Sequence, residues 1–266
     1  MDLDLTDKVA VVSGGSRGMG KAIARQLAIE GADVVVVARG AEALEATAKE
    51  LATTTGRRIV PITADTREDA SVKAMADAAG SAFGHLDILV NCAASPGGQG
   101  PAPRFDEITN EAFFEDMNTK VLGYLRCARE VAPYMKRQGW GRIISLSGMA
   151  ARQGGAALGS MRNVAVVAMT KNLADELGPY GINVTVVHPG RTRTEATESV
   201  LARRMAAEGI SHEEAERQLL QGNVLRRAID ATDVANVVTF LASPRSVAIT
   251  GDVIAAGGGS PVSIYY

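Results

Sequence analysis

The stretch from Lys8 to Gly31 constrains the fold more than any other part of this chain. An apolar run, KVAVVS, meets the glycine-rich SGGSRGMG and continues into KAIARQLAIEG, whose apolar residues recur at helical spacing. A short apolar run without helical periodicity is what a strand covered on both faces requires. The alternation then repeats. DVVVVA at 33–38 reads as a second strand and AEALEATAKELAT as a second helix, and RRIVPIT and EDASVKAMADAAGSAF follow in the same order. LDILVN, GRIISLS and INVTVVHPG read as strands four to six, with long helical stretches near 108–137 and 157–179 between them. DVANVVTFLAS reads as a helix and GDVIAAGGG as a last strand. This order predicts an α/β fold, a doubly wound parallel sheet of about seven strands with helices on both faces. The 266 residues contain no linker, repeat or low-complexity segment, so one domain spanning 1–266 is expected.

The first strand-to-helix corner carries chemistry as well as geometry. In Ser13-Gly14-Gly15-Ser16-Arg17-Gly18-Met19-Gly20, Gly14 permits a sharp turn, Gly18 a close approach of ligand to backbone, and Gly20 tight packing of helix on sheet. The helix that starts here presents unpaired amides and the positive end of its dipole to a diphosphate. A glycine triplet alone is a weak signal. Closing the first strand of a βαβ unit, it predicts a Rossmann-type nicotinamide-dinucleotide site at Gly14, Ser16, Arg17, Gly18, Met19 and Gly20. The competing reading is a glycine-rich connector with no ligand. Strand two ends at Ala38-Arg39, where an acidic residue would accept a ribose 2′-hydroxyl. Arg17 and Arg39, with no carboxylate beside them, favour NADP over NAD, because a guanidinium grips a 2′-phosphate bidentately. The alternative is that both arginines are merely solvated.

Two irregular stretches leave the carboxyl edge of the expected sheet, where open α/β folds bind ligands. Residues 95–103 follow strand four, and a polar, helical insertion at 192–227 follows strand six and is expected to form a substrate loop or lid. The tail at 260–266 ends in aromatics, and the helical stretches near 108–137 and 157–179 carry apolar residues beyond one face. These features point to a homodimer or homotetramer.

Composition removes other classes. Formal net charge is −2 with both signs interspersed, so the basic stripe of a nucleic-acid binder is missing. No apolar run approaches the length of a membrane span. The acidic opening MDLDLTDK leads straight into a strand and is read as having no signal peptide. Cys92 and Cys127 have neither disulfide-framework nor metal-ligand spacing, and the three histidines make no metal motif. The cysteines therefore read as small apolar fillers of a reduced, cytoplasmic protein. The expected partner is a small-molecule substrate, not nucleic acid or membrane, and no metal is expected.

From about residue 6 to 259 the order of elements resembles the short-chain dehydrogenase/reductase family. The glycine corner is similar to that family's Thr-Gly-x-x-x-Gly-x-Gly, with Ser13 in place of the threonine. The resemblance implies an adenine contact at Asp65 and a place for Asn91 and Ala93, in Asn-Cys-Ala-Ala, where the family has Asn-Asn-Ala-Gly. It also implies that Pro189, Gly190 and Thr194 hold the nicotinamide end. MTKNLADELGPYGINV, DVANVVTFLAS and ITGDVIAAGGG resemble the family's later helices and final strand. The activity implied is hydride transfer between NADP or NAD and an alcohol or carbonyl.

The family's Asn, Ser and Tyr-x-x-x-Lys do not carry over. Alignment back from MTKNLADEL places the tyrosine at Gly159 and the lysine at Asn163, and no tyrosine lies between Tyr134 and Tyr180. The serine falls at Gly148, beside Ser147, and the asparagine at Lys120, two residues from Asn118. Glycine has no proton to give, and Asn163 brings no charge to depress a neighbouring pKa. A carbonyl reduction still needs a proton source, and Lys120, Ser147, Arg162 and His188 could substitute, with Asn163 in the lysine's place. Each has a plainer reading: Lys120 snorkels to solvent, Ser147 faces the core, Arg162 lies on a helix surface, and His188 closes a strand. Two functions remain in competition. One is an oxidoreductase with a non-standard proton donor; the other is a catalytically inactive dinucleotide-binding or regulatory protein on the same fold. A third, non-redox chemistry at Lys120, has no partner residue in the sequence.

Overall fold

The computed structural model describes residues 1–94, 102–220 and 222–261, without the side chains of Leu219 and Leu220. The first half alternates strictly: β1 (Val9–Ser13), α1 (Gly18–Ile29), β2 (Asp33–Ala38), α2 (Ala41–Thr55), β3 (Ile59–Thr63), α3 (Asp69–Phe83) and β4 (Ile88–Asn91). Then come α4 (Asn110–Met117), α5 (Gly123–Gln138), β5 (Gly141–Leu146), α6 (Ala157–Leu177) and β6 (Ile182–Pro189). The chain closes with β7 (Thr192–Arg193), α7 (Thr197–Glu208), α8 (His212–Leu220), β8 (Ile229–Asp230), α9 (Ala231–Ala242) and β9 (Val253–Ala256).

Seven strands form one parallel sheet in the order β3-β2-β1-β4-β5-β6-β9. Each inner strand is apolar on both faces because each face meets helices. Ala10 and Val12 of β1 join Val34, Val36, Ile88 and Val90 under α1, α2 and α9. Val9 and Val11 point the other way and join Val35, Val37 and Leu89 under α3, α5 and α6. The period-two alternation of a strand thus feeds two separate cores from one run of apolar residues. The strand order reverses between β1 and β4, which opens a crevice at the carboxyl edge.

The structure departs from the expected helix near 108–137. A π-helical turn, Asn118–Leu122, separates α4 from α5. Wider i→i+5 spacing rotates the chain locally, and here it turns Lys120 into the protein, where only 4% of its surface is exposed. Arg126 steadies the turn, with Nη1 donating to Asn118 Oδ1 at 2.8 Å and to the Thr66 carbonyl at 3.3 Å. The insertion at 192–227 is helical as expected, but β7 and β8 also form a two-residue parallel ladder that sequence periodicity did not announce. Most of the expected loop at 95–103, and the tail beyond residue 261, lie outside the described residues. Among the described residues no helix is long and apolar enough to cross a membrane. No group of three or more His, Cys, Asp or Glu side chains among them could hold a metal.

Candidate active site

The glycine corner sits at the head of the crevice. Gly14 and Gly18 adopt φ of +71° and +57°, the left-handed region that side chains disfavour. A Cβ on Gly20 would stand 2.1 Å from the Gly14 carbonyl oxygen, so helix and turn touch backbone to backbone. Among the described residues outside its own helix, a Cβ on Gly18 would meet only the Thr194 Cγ2, at 3.9 Å. The corner is tight where α1 packs and open beside the Gly18 Cα, while the Gly18 amide donates to Glu195 Oε1 at 2.6 Å. Ser16 holds the turn to α2, its carbonyl accepting from Thr47 Oγ1 at 2.9 Å, and Met19 packs on the core beneath. Ser13 Oγ accepts from the amides of Cys92 and Ala93 at 3.1 and 3.3 Å, which ties the exit of β4 to the corner. Asn91 is fully buried, with Nδ2 donating to Ser145 Oγ at 3.3 Å. Its Oδ1 has no hydrogen-bond partner among the described residues.

Charge around the corner is mostly positive. Arg17 and Arg39 are exposed, and neither makes an ion pair among the described residues. Asp65 lies beyond β3 and takes both Nε and Nη2 of Arg67, whose hydrogen bonds hold its carboxyl below the usual range. On the far side, Pro189 ends β6, and Gly190 packs so closely on Gly257 that a Cβ would stand 2.8 Å from its Cα. Thr194 follows, its amide donating to Thr197 Oγ1 at 2.9 Å.

A second cluster lies deeper, between β5, β6, α6 and the π-helical turn. Lys120 Nζ donates to the Ser147 carbonyl at 2.9 Å and to Asn163 Oδ1 at 3.0 Å. Burial pushes its ammonium down to about 7, helped by the nearby Arg162 guanidinium. Ser147 Oγ donates to the Asn163 carbonyl at 3.0 Å, so its proton is committed to the backbone of α6. His188 is 1% exposed and accepts from the Gly148 amide at Nδ1, 3.3 Å away. Burial, with Arg152 and Lys120 adding repulsion, pulls its pKa down to about 4, so the imidazole is neutral near pH 7. Lys120, Ser147 and Asn163 are thus joined by hydrogen bonds, while His188 bonds the adjacent Gly148 amide and Arg162 pairs elsewhere.

Beside them Arg162 Nη1 donates to Asp116 Oδ1 at 2.6 Å, with both side chains only 13% exposed. Nothing in the sequence joins Asp116 to Arg162, 46 residues on, because the pairing spans two helices. Gly159 opens the adjoining space: a Cβ there would meet Ala156, Ala150 and Arg162 only at 3.6 Å or more. Burial pushes the Cys92 thiol up to about 11 and the Cys127 thiol to about 12, which keeps both protonated and unreactive near pH 7. A cavity of about 370 Å³, lined by Met149, Gln153, Gly190, Arg191, Gln218 and Ser260 among others, adjoins the end of β6.

Residues 14–260 match the family model described as enoyl-(acyl carrier protein) reductase. The chain is 35% identical over 259 residues to a peroxisomal 2,4-dienoyl-CoA reductase of Danio rerio, covering 96% of this chain and 82% of that protein. It is 31% identical over 264 residues to the NADPH-dependent reductase BacG of Bacillus subtilis, covering 98% and 100%. The chain belongs to the short-chain dehydrogenase/reductase family. Among solved structures it is similar to L-sorbose reductase from Gluconobacter frateurii complexed with NADPH and L-sorbose. That match has a TM-score of 0.93 at 27% identity, over 99% of this chain and 100% of the other. As a short-chain dehydrogenase/reductase, the chain brings the glycine corner, the β4 exit and the β6 exit together at one edge of its sheet.

Proposed function

We propose that this short-chain dehydrogenase/reductase moves hydride between a nicotinamide dinucleotide, NADP in preference to NAD, and a small alcohol or carbonyl compound, with Lys120 handling the proton. The dinucleotide reading rests on the open face of Gly18 and the unpaired Arg17 and Arg39, and on similar proteins whose names include NADPH. In this reading Gly14, Ser16, Gly18, Met19 and Gly20 cradle the diphosphate, Arg17 and Arg39 face a 2′-phosphate, and Asp65 meets adenine. Asn91, Ala93, Pro189, Gly190 and Thr194 border the nicotinamide end.

The observation that carries the proton assignment is the contact between Lys120 and Asn163. Where the resemblance implies asparagine and lysine, this chain has lysine and asparagine, and here the amine and the amide are in contact. When bound, the reduced nicotinamide supplies the hydride. Lys120 gives its proton to the substrate oxygen and becomes a neutral amine, a form that burial favours. Asn163 Oδ1 and the Ser147 carbonyl use two of the three ammonium donors and leave the third for substrate. Asn163 is thus a positioning residue, Ser147 locks α6 to β5, and neutral His188 orients Gly148.

The test is NADPH absorbance across a panel of small carbonyl compounds, for the native chain and for Lys120→Met. Turnover by the first and not by the second is expected. Gly159 and Gly148, which bring neither a hydroxyl nor an amine, favour a second reading in which the protein binds dinucleotide without catalysis. Tight NADPH binding with no oxidation of cofactor by any compound would select that reading. The two unpaired thiols suit a reducing compartment such as the cytoplasm. A homodimer or homotetramer through α5 and α6 would cover Leu122, Leu125, Met161 and Val164, all exposed in one copy.

A further inference from the structure

The first amide of α1 has a partner that no motif announces. Gly18 N donates to Glu195 Oε1 at 2.6 Å, across 177 residues of sequence. Arg17, at the N-cap, offers the helix no side-chain acceptor. The carboxylate therefore does at long range what a capping Ser or Asp ordinarily does locally, and it meets the positive end of the helix dipole. Among the described residues away from its own helix, Thr194, next to it, is the group within 4 Å of where a Gly18 side chain would start. Thr194 and Glu195 thus lie across the open side of the turn.

Resting on the dinucleotide reading above, we infer that Glu195 is a built-in competitor for the diphosphate, which must expel it from the Gly18 amide to bind. A carboxylate and a phosphate oxygen are alternative acceptors for one N–H, and two like charges cannot share so small a space cheaply. The expelled residue is not free to move alone. Arg193 Nη2 donates to Glu216 Oε1 at 3.0 Å, joining this strap to α8, and the Thr194 amide is held by Thr197 at the head of α7. Release of Glu195 is therefore transmitted to both helices of the 192–227 insertion. Arrival of the dinucleotide unlocks the segment that walls the cavity beside Gly190.

Glu198 supplies the control. It carries the same charge on the same segment, but pairs with His212 at 3.2 Å and does not touch the glycine corner. Calorimetric titration with NADPH is expected to give binding about fivefold tighter for Glu195→Ala than for the native chain, with a smaller gain for Glu195→Gln. Glu198→Ala should leave the affinity unchanged. Without nucleotide, hydrogen exchange at residues 194–200 should be faster in Glu195→Ala than in the native chain. Native binding of NADPH with no tightening in Glu195→Ala, or equal tightening in Glu198→Ala, would overturn this inference and leave the dinucleotide reading intact. Failure of every variant and of the native chain to bind either NADPH or NADH would overturn both.

Discussion

Lys120 Nζ donates to Asn163 Oδ1 at 3.0 Å, joining the π-helical turn ahead of α5 to the buried face of α6. The contact puts a buried amine against a neutral amide rather than a carboxylate. Among the described residues no carboxylate pairs with it, and desolvation lowers its pKa to about 7.

If that amine carries the proton, its removal should cost catalysis and spare cofactor binding. Lys120→Met is expected to lower kcat/KM for carbonyl reduction by at least about 100-fold, the usual scale of a general acid. The Kd for NADPH should not change. Lys120→Asn alone should be as damaging. Adding Asn163→Lys to it restores an amine–amide pair in the reverse order and should recover a measurable part of the rate, read by steady-state kinetics.

The same residue makes stability depend on pH in a defined direction. The folded chain binds the Lys120 proton with a pKa of about 7, the unfolded chain with the ordinary 10.5. Between those values unfolding takes up a proton, so stability rises with pH across that window and is flat for this group below it. The slope contributed is at most about 1.4 kcal/mol per pH unit. Urea titrations of Lys120→Met should show a gain in stability at pH 7 that shrinks as pH approaches 10. For activity, reduction needs the ammonium and should decline as pH rises through about 7.

Cofactor preference should follow charge at the end of β2. Arg39→Asp places a carboxylate where the 2′-phosphate reading needs a cation, and is expected to weaken NADPH binding about tenfold or more relative to NADH. Arg17→Ala should shift the ratio in the same direction by less. Fluorescence titration of both nucleotides measures it.

Association should depend on the apolar residues that α5 and α6 leave uncovered. Leu125 is 36% and Val164 49% exposed, with Leu122 and Met161 near them in sequence. Light scattering is expected to give a dimer or tetramer for the native chain. The double substitution Leu125→Arg with Val164→Arg should shift it to monomer while circular dichroism stays unchanged.

Local sequence decided a great deal here. Apolar runs of strand length bounded by glycine and polar turns suit strands buried on both faces, and parallel strands joined through a helix almost always cross over right-handed. The sheet, its two covering layers and the glycine corner follow from that pattern. Lys120, Ser147 and Asn163 were legible as residues of interest because they stand at or beside positions where the family resemblance implies other side chains, and His188 because it is an imidazole directly before Pro189-Gly190. Tertiary structure alone decided what those residues do to one another. The π-helical turn that buries Lys120, the Arg162–Asp116 pair and the grip of Glu195 on Gly18 join segments 27 to 177 residues apart. Periodicity reports which way a side chain points from its own element. It holds no information about which distant carbonyl or carboxylate will meet it once desolvation makes an unpaired donor too costly to leave alone.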